Sequence, residues 1–260
     1  MLGPIAPAAA QSGWTGGYAG ARIGYGYQRD DSNETIQFDR DLNGGFGDTI
    51  TTVTGRDAFS RGFCGGALSA DQSSCRDENG ANVAAFAGYD MDMGGLVAGG
   101  VVEFGRSKIE DSVTAFSITP AFYTITRRLR SVASVRARVG YPLFTNTLPY
   151  VTGGVAAGEV RYSFATDNRV NTVQLSDRRD LKFGYQVGGG VEQRIAPSFS
   201  LGAQYLFLNL GAEDFRARLG GANVPVSNPF IQGNRSGTDF RRSDRRFKTH
   251  DISFVASYRF

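Results

Sequence analysis

A period-two pattern constrains this chain more than any other feature. Apolar residues alternate with polar or small ones in eight segments of about 10 to 16 residues, at 14–27, 82–92, 96–107, 127–142, 149–165, 181–196, 199–209 and 250–260. Such alternation marks strands whose two faces meet different surroundings. The connections sort by length: 92–95, 143–148 and 196–198 are tight turns, whereas 28–81, 108–126, 166–180 and 210–249 are long. An even number of strands, with short turns on one side and long loops on the other, is the plan of an up-and-down barrel that crosses a membrane. No run of about 18 apolar residues occurs, which excludes a helical span.

The faces can be read strand by strand. In the last segment Ile252, Phe254, Ala256, Tyr258 and Phe260 share one side, opposite Asp251, Ser253, Val255, Ser257 and Arg259. Phe183, Tyr185, Val187 and Val191 oppose Gln186 and Glu192, and Val135, Ala137, Val139 and Tyr141 oppose Arg136 and Arg138. A half-buried soluble sheet alternates too, so the aromatics separate the two readings. Tyr25, Tyr27, Tyr89, Tyr141, Tyr162, Phe164, Tyr258 and Phe260 lie near segment ends, where the interfacial girdles of a membrane barrel belong. A wall that is apolar on one face only also reconciles 35 glycines, 19 phenylalanines and 11 tyrosines with a mean hydropathy of −0.25, and a net charge of just +3 gives little support to nucleic acid as a partner.

The polar face carries Arg22, Asp90, Glu103, Arg136, Arg138, Glu159, Arg161, Glu192, Asp251 and Arg259, five arginines against five carboxylates. An unpaired interior ion costs several kcal/mol, so balanced numbers predict a paired network. Eight strands enclose a space that side chains nearly fill, and the expectation is a plugged lumen.

These segments resemble the eight-stranded outer-membrane barrels of Gram-negative bacteria, the opacity-like or outer membrane beta-barrel domain family. The resemblance is carried by Trp14-Thr15-Gly16-Gly17-Tyr18-Ala19-Gly20, Leu148-Pro149-Tyr150-Val151-Thr152-Gly153-Gly154, the stretch from Gly184 to Glu192, that from Ser200 to Gly211, and the terminal Ser257-Tyr258-Arg259-Phe260. It implies an all-β, eight-stranded antiparallel up-and-down transmembrane barrel in the cell outer membrane, with three short periplasmic turns and four long extracellular loops. It also implies that Phe260 resembles the signal read by the barrel-assembly machinery. The long first and last loops and the cysteine pair depart from the family pattern.

Loop 28–81 holds ten carboxylates and five arginines, net −5, and loop 210–249 holds eight cations and four acids, net +4. The strands they adjoin become neighbours on closure. Two outcomes are open: the loops pack into a cap, or each is solvated separately. Cys64 and Cys75 are spaced for a loop disulfide in an exported protein, or are two plain thiols in a cytosolic one. Residues 1–11 read as the remnant of an export signal or as a disordered terminus, and 12–260 as one barrel domain. A basic belt at the upper rim, Arg127, Arg128, Arg130, Arg178, Arg179, Arg241, Arg242, Arg245, Arg246 and Lys248, suits the phosphates of lipopolysaccharide, since guanidinium groups bind phosphate bidentately.

No catalytic, cofactor-binding or metal-binding set is expected. The lone His250 stands near the rim at the start of the last segment, on the face opposite Asp251 and Ser253, whereas a Ser/His/acid arrangement needs the three groups to converge. The expected function is structural: stabilising the envelope and offering loops for surface interaction or adhesion. A small-solute porin is the alternative, and a lipid A-modifying enzyme a remote one. Expected partners are outer-membrane lipid, lipopolysaccharide, the assembly machinery and an envelope or surface protein, with no nucleic acid.

Overall fold

The computed structural model describes residues 13–29, 34–64, 77–119, 121–144, 146–212 and 214–260. In chain order its strands are β1 (Gly16–Tyr27), β2 (Ile36–Asp39), β3 (Asp77–Glu78), β4 (Gly80–Asp92), β5 (Val97–Ser107), β6 (Glu110–Ser117), β7 (Ala121–Gly140), β8 (Thr147–Thr166), β9 (Thr172–Leu175), β10 (Arg179–Ala196), β11 (Phe199–Ala212), β12 (Ala217–Gly220), β13 (Thr238–Arg242) and β14 (Arg246–Arg259). No helix long and apolar enough to cross a membrane occurs among the described residues.

Eight of these strands close into an antiparallel barrel in the order β1, β4, β5, β7, β8, β10, β11, β14 and back to β1. All eight expected segments appear as barrel strands. The short turns are built as their residues dictate. In 92–95 the Asp92 carboxylate accepts from the amides of Gly94 (2.9 Å) and Gly95 (3.2 Å). Those two glycines sit at φ of +81° and +106°, a region that side chains avoid.

The wall is uneven. β7 and β8 run for 20 residues and β10 for 18, against 11 for β5. The long strands rise above the rest, and β6 folds back on the top of β7. Over the mouth lies a second, four-stranded sheet in the order β2-β13-β12-β9, assembled from three of the four long loops. β2 of the first loop pairs with β13 of the last, with Phe38 opposite Phe240, so these two loops pack into a cap.

The outer face carries the hydrocarbon-facing band. Ile23, Phe104, Val155, Phe183 and Phe254 are all more than half exposed, with Tyr89, Tyr141, Tyr258 and Phe260 below them and Tyr25 above. Tyr162 and Phe164 do not join a girdle. Tyr162 is buried and stacks on Phe215 with centroids 5.0 Å apart, and Phe164 packs against the core of the cap. Residues 1–11 and Cys75 lie outside the described residues, while Cys64 is buried in the cap.

Candidate functional site

The interior is filled at two levels by different chemistry. In the lower half, charged side chains from β1, β4, β5, β7, β10 and β14 form a paired lattice. Arg22 donates to Glu103 (2.9 Å) and Asp251 (2.8 Å), and Arg136 reaches the second oxygen of Glu103 at 2.9 Å. Asn82 also donates to Asp251, and the Gln186 side-chain oxygen accepts from Arg136. Nearer the periplasmic mouth Arg138 bonds Glu192 at 2.7 Å and approaches Asp90 at 3.4 Å, while Arg259 holds the other Asp90 oxygen at 2.8 Å. The Arg138 guanidinium lies between the rings of Tyr18 and Tyr150, 5.1 and 4.4 Å from their centroids. A fully buried Trp14 closes the bottom, its carbonyl accepting from Arg259.

Glycine makes this lattice possible where inward residues crowd. A Cβ on Gly190 would lie 2.8 Å from the Tyr150 hydroxyl, and one on Gly88 would strike Tyr18. The voids left between these groups are about 20 Å³ and 30 Å³, each room for about one or two waters. Neither is a passage.

Eight of the ten charges expected in the lumen are there, four arginines and four carboxylates, all buried. Glu159 and Arg161 are not. They sit on the outer face of β8 above the apolar band and pair with each other at 3.0 Å, with Arg179 of β10 3.3 Å from Glu159. The reason is that the inward residues of upper β8 are Val160 and Tyr162, both buried.

Above the lattice the chemistry reverses. Leu129, Val160, Leu208, Leu210 and Phe247 line the upper barrel and run without a break into the aromatic core of the cap. There Phe240 packs edge-on to Phe38 at 4.8 Å, with Tyr123 and Phe230 each 5.5 Å away. One ionic cluster is buried at the junction of cap and barrel. Arg242 pairs with Glu34 and Asp111, and Arg127 bonds the second Asp111 oxygen at 2.6 Å. Burial, reinforced by Asp111 and only partly offset by Arg242 and Arg127, pushes the Glu34 carboxyl up to about 8. Burial acts on Asp111 in the same sense, but Arg242 and Arg127 outweigh it and hold that carboxyl below its ordinary value.

This cluster corrects the basic belt. Arg127 is 1% and Arg242 0% exposed, so neither reaches lipopolysaccharide. Arg241 is half-buried, bonded to Gln37 and 3.9 Å over the Phe46 ring, and Arg245 pairs with Asp214 at 2.5 Å. Arg128, Arg130, Arg178, Arg179, Arg246 and Lys248 are exposed at the rim. Elsewhere in the cap Asp39, Asp41 and Asp48 bring carboxylate oxygens within 4.8 Å of one another. Backbone amides serve this cluster: those of Asn43 and Gly44 donate to Asp39, and that of Arg40 to Asp48. His250 lies on the outer face, its Nδ1 2.6 Å from the Tyr205 hydroxyl and its ring stacked on Tyr27. Ser253 and Asp251 bond each other inside the barrel, so the three do not converge.

With this geometry established, the comparisons with known proteins are direct. The profile of the outer membrane protein beta-barrel domain matches residues 1–260. The chain belongs to that family. Outer membrane protein beta-barrel domain chains similar to it include the 31 kDa outer-membrane immunogenic protein of Brucella melitensis, 27% identical over 234 residues that cover 88% of this chain and 82% of that protein. The 22 kDa outer membrane protein of Rhizobium leguminosarum is 29% identical over 130 residues, half of this chain and 53% of that protein. Among solved structures, the outer membrane protein OprG from Pseudomonas aeruginosa superposes with a TM-score of 0.51 at 12% identity, covering 96% of this chain and all of that one. The family and these relatives place this beta-barrel domain in the outer membrane.

Proposed function

We propose that this protein is a non-conducting structural barrel that stabilises the cell envelope and presents its cap for surface contact or adhesion. The observation that carries the reading is the double closure of the lumen, by four arginine and four carboxylate side chains below and by an aromatic core above. Opening a pore would break buried ion pairs in a low-dielectric interior, where losing one partner costs about 3–5 kcal/mol. The cap supports the second half of the reading, because its sheet is packed on an aromatic core continuous with the upper barrel and so offers a fixed outer surface. Exposed rim arginines and lysine supply contacts to the phosphates of lipopolysaccharide, and Phe260, 79% exposed at the lower rim, is the residue offered to the assembly machinery.

Planar-bilayer recording tests the closure: the purified barrel should give only rare, small events. Large steady channels would favour the porin reading instead. A non-enzymatic role predicts that mass spectra of lipid A are the same with the wild-type chain and with His250→Ala.

A further inference from the structure

The seam where the first and last barrel strands meet carries two concavities on its outer face. The upper one, about 470 Å³, lies at the extracellular rim and is lined by Arg29, Arg246, Lys248, His250 and Phe207, with Arg127 and Asp244 at its back. Arg127 already serves Asp111, and Asp244 approaches both Arg127 and Lys248 at about 4 Å. Among the described residues that line the pocket, the exposed cations therefore outnumber the one carboxylate. The lower concavity, about 650 Å³, is apolar. Its floor is a row of three alanines in register across three strands, Ala85, Ala21 and Ala256, bounded by Phe104 on β5 and Leu201 on β11. Larger side chains stand in the next row up, Val83, Ile23 and Phe254, each more than half exposed.

The two concavities share β11 and β14, and the residues just after β1 line the upper one while β1 itself floors the lower. Descending β14 on its outer face, the residues are Arg246, Lys248, His250, Ile252, Phe254 and Ala256. The order is cationic, then an aromatic stack of His250 with Tyr27 and Tyr205, then apolar, then a trough. Lys248 and Ala256 are eight residues apart, about 26 Å along a strand that rises about 3.3 Å per residue. That is the polarity profile of a lipid molecule standing in the outer leaflet.

From this we infer that the β1–β14 seam is a seat for one lipid with a net-anionic phosphate headgroup, held by Arg29, Arg246 and Lys248, and with one hydrocarbon chain laid in the alanine trough. The inference deepens the lipid-contact part of the proposed function, which it confines to one place. A phosphate oxygen takes two or more charge-assisted bonds from such a pocket, and the aromatic stack meets the interface between headgroup and chain. The trough gives the chain a groove that the bulky side chains elsewhere on the band do not leave.

The test uses the full chain in detergent, with native mass spectrometry at graded activation and two probes, phosphatidic acid and phosphatidylcholine of the same chain length. Wild type should retain one phosphatidic acid about tenfold better than phosphatidylcholine, the scale of one charge-assisted bond. Arg246→Glu with Lys248→Glu should abolish the preference, and Ala21→Phe, or Ala256→Leu as a milder filling of the same trough, should lower retention of both lipids. Arg161→Glu, on the outer face of β8 across the barrel from the seam, should change nothing, and Arg178→Glu with Arg179→Glu, at the start of β10 two strands from β14, separates this seat from a general rim belt. Heat-modifiable mobility on a gel verifies that each variant is folded. Retention indifferent to trough filling, or full competition by inorganic phosphate alone, would overturn the inference by reducing the site to a bare anion pocket. So would dimers that the trough variants dissolve, since a second copy would then occupy the groove. Loss of retention only in the Arg178 and Arg179 variant would overturn this seat while leaving a rim belt in place, and none of these results bears on conductance, which tests the plug separately.

Discussion

The lower and upper halves of this barrel solve the same packing problem with opposite chemistry. Below, the outside is apolar and the inside is ionic. Above, β7 and β8 turn charged residues such as Arg128, Arg130, Glu159 and Arg161 outward and bury Leu129, Val160 and Tyr162. The surroundings explain the inversion. Where hydrocarbon wraps the wall, apolar side chains gain nothing by moving inward and the polar ones must hide. Where water wraps the wall, the hydrophobic effect acts as in a soluble protein. On β7 the switch coincides with a bulge between Leu129 and Ser131, which shifts the inward-facing parity by one residue. A single strand thus reports the membrane boundary.

The largest effects should come from one deletion in each half. Arg22→Ala leaves Asp251 without a cation and should cost about 3–5 kcal/mol, seen as a lower temperature for conversion to the unfolded band on a gel. Phe240→Ala should cost about as much, ~3–5 kcal/mol, but in the cap: protease should cut the upper loops while the barrel keeps its heat-modifiable mobility. If both variants fail together, the halves are one cooperative unit and the contrast drawn here is only chemical.

Next in size is a pair of arginines placed on the outer face at two heights. Phe254→Arg, in the hydrocarbon band, should destabilise the barrel in bilayers by about 2–4 kcal/mol. Ser163→Arg, above the inversion on β8, should stay within about 0.5 kcal/mol. Equal costs would show that the boundary is drawn in the wrong place.

Smaller still is a pH effect confined to the cap. Glu34 titrates near 8 when folded, well above an unfolded glutamate, so its contribution to stability is fully present below about 4.5 and is lost as pH rises through 8. Protease resistance of the cap should therefore fall between pH 5 and about 9, and Glu34→Gln should flatten that profile. Asp111 acts in the opposite sense, its contribution being present above the ordinary carboxylate range and lost in acid. Among the ion-pair deletions the least effect belongs to Arg161→Ala, whose exposed pair with Glu159 should contribute no more than about 1 kcal/mol by the same gel assay.

The eight barrel strands were legible because each carries ten or more residues of one alternation. The cap strands were not. β2, β9 and β12 have four residues each and β13 five, too few for a period to show, and their partners lie in other loops. Opposite loop charges pointed to a meeting of the first and last loops, and Arg242 with Glu34 does join them. The bulk of that interface is aromatic, however, and no local pattern marks Phe38, Phe59, Phe230 and Phe240 as one cluster. Glu159 and Arg161 were misplaced by a rule that holds only inside the hydrocarbon band, that polar residues of a barrel strand face the lumen. Arg127 and Arg242 read as rim cations because nothing in sequence brings residues 34, 111, 127 and 242 together.

The pairing of β1 with β14 has a consequence for biogenesis. Arg22 finds Asp251 across 229 residues, and Tyr18 pairs in register with Arg259. Until β14 joins β1 the sheet has two open edges, Arg22 lacks Asp251 and Asp90 lacks Arg259. Half-made chains gain little from the contacts they already have, because loop-closure entropy is spent before distant partners arrive. Closure therefore rests on the last strand: without β14, β1 and β11 would both be left with an unpaired edge.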